Sequence, residues 1–397
     1  MTKGEGSSML LNRRVLGLLI CLAAAGLGAG SALLGVCGPF TDVSDAAFCP
    51  FVLEIFTLGI TTGTTPTTYD PSSSVTRLQM AAFLSRTVDG VLKRGSRRAA
   101  LDQFWTSQNS TVLALTTVGA LPSLLRSDGA DVWVANNIGN TVSRVRASDG
   151  KLLETWTGAT GALGVLVAMG RVLVTGNTNP GALYSINPGQ PAGAVTTVAT
   201  NVGTFPYGIA FDGANVWIAN IGFPGSGTVS KVTPAAAPPW AVSTVTAGFQ
   251  HLVGALYDGA NIWVTDQNAG TLLKLDSAGA ILQTVTVGAS PQFPAFDGTN
   301  IWVPNPNSNS VSVVRASSGA VLETLTGNGL NDPNAAAFDG QRVLIVNYGN
   351  DTASLWKAAD LTALGSFPTG SSEPYGACSD GVNFWITLNG NSRLARF

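Results

Sequence analysis

The sequence predicts a mainly-β chain: a seven-bladed β-propeller whose last blade is closed by an N-terminal strand, preceded by a small α-helical module. Three observations lead there. A ten-residue phrase recurs, as FDGANVWIAN at 211–220, YDGANIWVTD at 257–266 and FDGTNIWVPN at 296–305. The glycine of its Asp-Gly pair, or the equivalent residue, falls at Gly129, Gly170, Gly213, Gly259, Gly298, Gly340 and Gly381, at intervals of 39–46 residues. The last copy stops after three strands at Phe397, and an unmatched strand-like stretch, STVLALTTVG, stands at 110–119 ahead of the first copy.

Taken in chain order, residues 13–36 read RRVLGLLICLAAAGLGAGSALLGV, two arginines and then an apolar run that turns into small residues. That is the layout of a secretory signal, and residues 1–32 are assigned to it, which implies export to the cell surface or beyond. In an oxidising compartment Cys37 and Cys49, twelve residues apart, are expected to close a small disulfide loop, while Cys378 is expected as a buried thiol.

Residues 37–88 form the small module. Phe48, Phe51, Val52, Ile55 and Phe56 follow the stripe of an amphipathic helix, with Gly59 as its stop. A second helix starts at Thr76, where Gln79 three residues on completes a capping-box pattern, and Leu78, Ala81, Ala82 and Leu84 are expected on its buried side. Residues 89–109, with a basic cluster from Lys93 to Arg98, read as a linker.

From residue 110 to 397 the chain is propeller, because a period near forty with several short strands per copy marks a blade. In one copy Tyr207–Phe211 is the innermost strand, and Asp212-Gly213 makes a tight hairpin turn. Val216–Ala219 returns, apolar on both faces because neighbouring blades clasp it. Thr228–Thr233 and Val242–Thr246 complete the sheet. Tryptophan recurs four residues after the turn glycine, at Trp133, Trp217, Trp263, Trp302 and Trp385, with Leu344 and Leu173 in the remaining copies. Each is expected to fill the wedge between two blades. The stretch 110–119 is expected to supply the missing fourth strand of the last blade, because an open ring would leave an unpaired edge.

Two resemblances attach to these residues. FTDV, a helix, LGITTG, a YDP turn and VTRLQMAAFL together resemble one S-layer homology module. The resemblance implies binding to cell-wall or envelope polymer, with Thr76 and Arg77 matching the family's polymer-binding stretch and Leu78 and Gln79 departing from it. TVSRVRASDGKLLETWTG and SVSVVRASSGAVLETLTG, with the repeated DG-x-N-[VI]-W-[VI], resemble the YVTN and virginiamycin B lyase-like seven-bladed propellers. In the lyase branch, histidines act beside a carboxylate-held magnesium to open a cyclic peptide lactone by elimination.

Charged residues are only 11% of the chain and the net charge is −2, which excludes a nucleic-acid partner. His251 is the only histidine, so no mechanism needing two imidazoles is available. The face carrying the fourth-to-first and second-to-third strand connections, called upper here, is the expected binding face for a protein, peptide or glycan. Its candidate binding residues are Tyr207, His251, Asn305, Asn347, Tyr348 and Tyr375. The catalytic candidates are His251 and Glu373. Asp266, Asp332 and Asp351 are the carboxylates that could hold calcium or magnesium, although no cofactor is expected. The repeated asparagines at strand ends, Asn305 and Asn347 among them, read more simply as turn caps. The expected function is a non-enzymatic envelope protein. The alternatives are a lyase-like enzyme using His251 and a bound metal, and a passive surface-layer component.

Overall fold

The computed structural model describes residues 37, 40–45, 47–57, 61, 63–65, 67–77, 79–84, 87, 114–223 and 225–397. The expected signal at 1–32, the linker at 89–109 and Leu78 lie outside them. The chain divides into two units, 1–95 and 96–397.

The first unit is built around Phe40, fully buried and packed against the rings of Phe56 at 5.1 Å and Tyr69 at 5.6 Å. Cys37 and Cys49 form a disulfide that ties this strand-like start to the helix Cys49–Thr57. The Asp42 carboxylate accepts the backbone N–H groups of Tyr69 (2.8 Å) and Asp70 (2.7 Å), and hydrogen bonding, from Tyr69 above all, holds its carboxyl below the usual range. Thr76 and Gln79 make a reciprocal capping box: the Thr76 N–H donates to Gln79 Oε1 at 2.8 Å, and the Gln79 N–H to Thr76 Oγ1 at 3.2 Å. The helical stripes are only partly buried. Val52 is covered, but Phe48 and Phe51 are each 63% exposed. On the second helix Ala81 and Leu84 are also exposed, against expectation. A unit this small has one layer of core, and Phe40 with its rings fills it.

The second unit is seven four-stranded antiparallel sheets, the blades, spanning 122–157, 162–200, 206–245, 252–286, 295–325, 333–368 and 374–396. In blade 3 the strands Pro206–Phe211, Val216–Asn220, Thr228–Thr233 and Ala241–Val245 lie within a residue of expectation. The closing strand is Ala114–Thr117, within the expected stretch, whose residues 110–113 are not described. It pairs antiparallel with Arg393–Arg396, Ala114 opposite Arg396 and Thr117 opposite Arg393, and so supplies the outer strand of blade 7. Across the same seam Thr387 Oγ1 of blade 7 donates to the Ser123 carbonyl of blade 1 at 2.6 Å.

All five repeated tryptophans are fully buried, as expected of a core wedge. An indole buries about 150–250 Å², which at about 25 cal/mol per Å² is several kcal/mol per blade. The structure adds what the indole N–H does. In blade 3 the Asp212 carboxylate accepts the N–H groups of Ala214 (2.8 Å) and Asn215 (2.6 Å) on one oxygen, and Trp217 Nε1–H (2.6 Å) on the other. Asp128–Trp133, Asp258–Trp263, Asp297–Trp302 and Asp380–Trp385 repeat the contact at 2.7–2.9 Å. Blade 6 has Leu344 in the tryptophan position, and there Arg342 Nε donates to Asp339 at 2.9 Å.

In blades 2, 3, 4 and 7 close approach of the innermost strands favours glycine at their third position. A Cβ on Gly208 would lie 2.5 Å from the Ala255 N and Val253 O atoms of the next blade, and one on Gly376 would lie 2.5 Å from the Ser123 carbonyl.

Two predictions follow from closure and from the carboxylate contact. Removing residues 1–118, which takes the closing strand, will lower the melting temperature by several degrees and produce self-association through the bared Arg393–Arg396 edge. Removing 1–110 will do neither, as read by calorimetry and size-exclusion chromatography. Asp212→Ala leaves a buried indole N–H unpaired and will destabilise by about 1–3 kcal/mol at pH 7. Burial pushes the Asp212 carboxyl up, but hydrogen bonds from Asn215, Trp217 and Ala214 outweigh it and leave it below the ordinary carboxylate value. The wild-type advantage is therefore complete above that ordinary value and shrinks as pH falls through the lowered one, so melting curves of the two proteins will converge in acid.

Candidate functional site

Aromatic rings cluster at the upper end of the tunnel. Tyr207 stacks on Phe293 with centroids 6.3 Å apart and planes 4° from parallel, and Tyr375 meets Phe293 edge-on at 5.7 Å. Asn334 Nδ2 pins this layer by donating to the Tyr375 carbonyl at 2.8 Å. Burial pushes the phenol of Tyr375 far up, with the neighbouring Tyr207 and Tyr348 adding to it, and burial raises that of Tyr207 as well. Both stay neutral and can only donate or accept hydrogen bonds.

His251 precedes the inner strand Leu252–Tyr257 of blade 4. Its ring meets Phe223 edge-on at 6.2 Å, and Phe223 is 61% exposed, so the pair stands at the rim. Asp266 lies beneath it, fully engaged: one carboxylate oxygen accepts the Gln250 N–H at 2.8 Å, and the other accepts those of His251 at 3.0 Å and Ala269 at 3.3 Å. Three main-chain donors make Asp266 a loop clamp rather than a metal ligand.

Asn305 and Asn347 are corrected in the same way. Both are completely buried, with no surface to offer a ligand. Asn305 Nδ2 donates to Ser312 Oγ at 3.0 Å, and Asn347 Nδ2 donates to Thr352 Oγ1 at 3.0 Å and Ser354 Oγ at 2.8 Å. Asn136 and Asn220 do the same to Thr141 and Ser143, and to Thr228 and Ser230. These amides brace the second strand to the third in blades 1, 3, 5 and 6. They end strands, as read, but through the neighbouring strand's hydroxyls.

Tyr348, Asp332, Asp351 and Glu373 do come together, where blades 5, 6 and 7 meet the upper face. Tyr348 opens a 3₁₀ turn, Tyr348–Asn350, and its N–H donates to the Asp332 carbonyl at 3.0 Å. The Glu373 N–H donates to Asp351 Oδ1 at 2.8 Å. Burial raises the Tyr348 phenol, and the charges of Glu373, Asp332 and Asp351 raise it further. Burial also raises the Asp332 carboxyl. The result is an acidic, aromatic rim. Among the described residues no three His, Cys, Asp or Glu side chains converge to hold a metal ion, so the carboxylates expected to bind calcium or magnesium do not assemble into a site. Thr76 is engaged in its capping box, while Arg77 is exposed.

The lower end of the tunnel is open. Inner-strand side chains line a funnel of about 440 Å³ there, open to the face of the Asp-Gly turns. Arg126 and Cys378 stand in its wall. Burial pushes the Cys378 thiol up to about 12, so it is not a nucleophile. Sequence reasoning placed binding at the upper face and missed Arg126. The signal was present: the inner-strand segment PSLLRS carries a charge where the other copies are apolar or carry cysteine.

Comparison with known proteins bears on both units. Residues 39–81 match the S-layer homology domain. No curated protein matches the chain in sequence. Among solved structures, a streptogramin B lyase is 15% identical with a TM-score of 0.57, covering 71% of this chain and 96% of its own. Virginiamycin B lyase from Staphylococcus aureus is 16% identical with a TM-score of 0.58, covering 71% and 98%. Kuenenia stuttgartiensis hydrazine synthase is 14% identical with a TM-score of 0.61, covering 73% and 98%. At such identities the likeness is one of fold. The chain therefore joins an S-layer homology domain at 39–81 to a seven-bladed propeller shaped like the virginiamycin B lyases.

Proposed function

We propose that this is an exported cell-envelope protein, held at the surface by its S-layer homology domain, whose propeller is a non-enzymatic binding platform. The S-layer homology match carries the reading, since such domains are characteristic of surface-anchored proteins and typically bind cell-wall polymers. Arg77, exposed beside the capped start of its helix, supplies a cation suited to an anionic polymer. On the propeller, the upper rim offers Tyr348, the His251–Phe223 pair and the Asp332, Asp351 and Glu373 carboxylates to a protein, peptide or glycan.

A lyase-like activity has the fold in its favour and the constellation against it. His251 has no second imidazole to work with, and Asp266 is held by three main-chain N–H groups. A proton abstraction followed by leaving-group protonation needs two positioned groups.

The attachment is tested by sedimentation with purified envelope polymer. The full chain will pellet with it, and a chain lacking 37–88 will stay in solution; equal behaviour of the two would remove the anchoring role. For the chemistry, incubation with a cyclic depsipeptide and magnesium will give no ring-opened product by mass spectrometry. Turnover abolished by His251→Ala would establish the enzyme instead.

A further inference from the structure

The inner-strand residue registered against the tryptophan position is Leu166, Ala210, Leu256, Ala295, Ala337 or Cys378 in six blades. In blade 1 it is Arg126, opposite Trp133. All seven line the lower funnel, and Arg126 is the only charged residue on its wall. The rest of that wall is uncharged, mixing the hydroxyls of Ser127, Tyr257 and Ser379 with apolar side chains, and Leu256, Phe296 and Phe338 stand across from the arginine's blade.

Other arginines at the inter-blade surfaces are paired. Arg144 reaches Asp131 at 2.6 Å and Glu154 at 3.3 Å, Arg342 reaches Asp339 at 2.9 Å, and Arg396 donates to the carbonyls of Ala147 and Ser148. Among the described residues the Arg126 guanidinium has no hydrogen bond and no carboxylate partner. The turn carboxylates nearest that face are committed to the tryptophans, as Asp128 is to Trp133 and Asp380 is to Trp385. The Arg126 side chain is exposed to solvent in the funnel mouth, and desolvation by the surrounding protein still pushes its pKa below the ordinary value. An unpaired cation in this position breaks a repeat that six blades satisfy without charge.

We propose that the lower funnel is a binding site for a small organic monoanion, a carboxylate on a flat apolar body. The five N–H donors of a guanidinium match a carboxylate through two parallel hydrogen bonds. One cation selects a single negative charge, and a volume of about 440 Å³ takes a two-ring body against Leu256, Phe296 and Phe338. The site lies at the opposite end of the tunnel from the acidic rim, and the inference does not depend on surface attachment or on the upper platform.

Calorimetric titration of the whole chain with 2-naphthoate and with its neutral counterpart, 2-naphthamide, tests it. Naphthoate will bind saturably, and naphthamide at least about tenfold more weakly, because a charge-assisted pair is lost. Arg126→Leu will weaken naphthoate by at least about tenfold and leave naphthamide unchanged. Arg126→Lys will fall between, keeping the charge and losing the fork. The Arg126→Leu protein will melt no lower than wild type, since it replaces an unpaired charge with an apolar side chain. The proposal is overturned if naphthoate shows no saturable binding, if the amide binds as tightly as the acid, or if Arg126→Leu binds naphthoate as well as wild type does. The acid–amide comparison on the unaltered chain decides the matter without any variant.

Discussion

A turn carboxylate organises six of the seven blades. In five of them the aspartate accepts main-chain N–H groups with one oxygen and an indole N–H with the other, as Asp212 does with Asn215 and Trp217. The first contact fixes the hairpin between the two inner strands. The second orients a side chain large enough to fill the gap to the next blade. Cations above the rings, Lys231 over Trp217 at 5.2 Å and Lys274 over Trp263 at 5.1 Å, cover the exposed side of the wedge. Local turn chemistry and long-range packing are therefore the same interaction, which is why the ten-residue phrase is repeated with so little change. Where tryptophan is absent in blade 6, Arg342 takes its place on Asp339 and lies over the Phe384 ring of blade 7 at 5.4 Å.

The architecture was legible because it is periodic. Blade count, strand limits and the source of the closing strand all follow from where Asp-Gly and Trp recur. The site was less legible, for a physical reason. Asn305 and Asn347 sit at the end of a strand next to a tunnel mouth, and a sequence does not show that serine and threonine hydroxyls on the adjoining strand draw their amides inward. Asp266 occupies the same repeat position and turns to main-chain N–H groups. In the small first unit the helical stripe overstated burial, because Phe40 with Phe56 and Tyr69 already fills the available core and leaves Phe48 and Phe51 outside.

The two ends of the tunnel differ in kind. Tyr207, Phe293 and Tyr375 cluster at the upper end, beside a rim edged by carboxylates. The lower end admits solvent into a funnel with one cation among uncharged side chains. A rim of that sort suits extended polar partners, whereas an enclosure suits small molecules. The repeat alone would have made every blade equivalent, and the asymmetry comes from a few residues that break it.

Both chain ends of the propeller meet in blade 7, where Ala114–Thr117 lies along Arg393–Arg396. Any pull transmitted from a tethered N-terminal domain therefore arrives first at a four-residue zipper on the rim of the ring. Four residue pairs of one ladder are all that stand between such a pull and the body of blade 7, while the Thr387 hydroxyl separately clips blade 7 to blade 1.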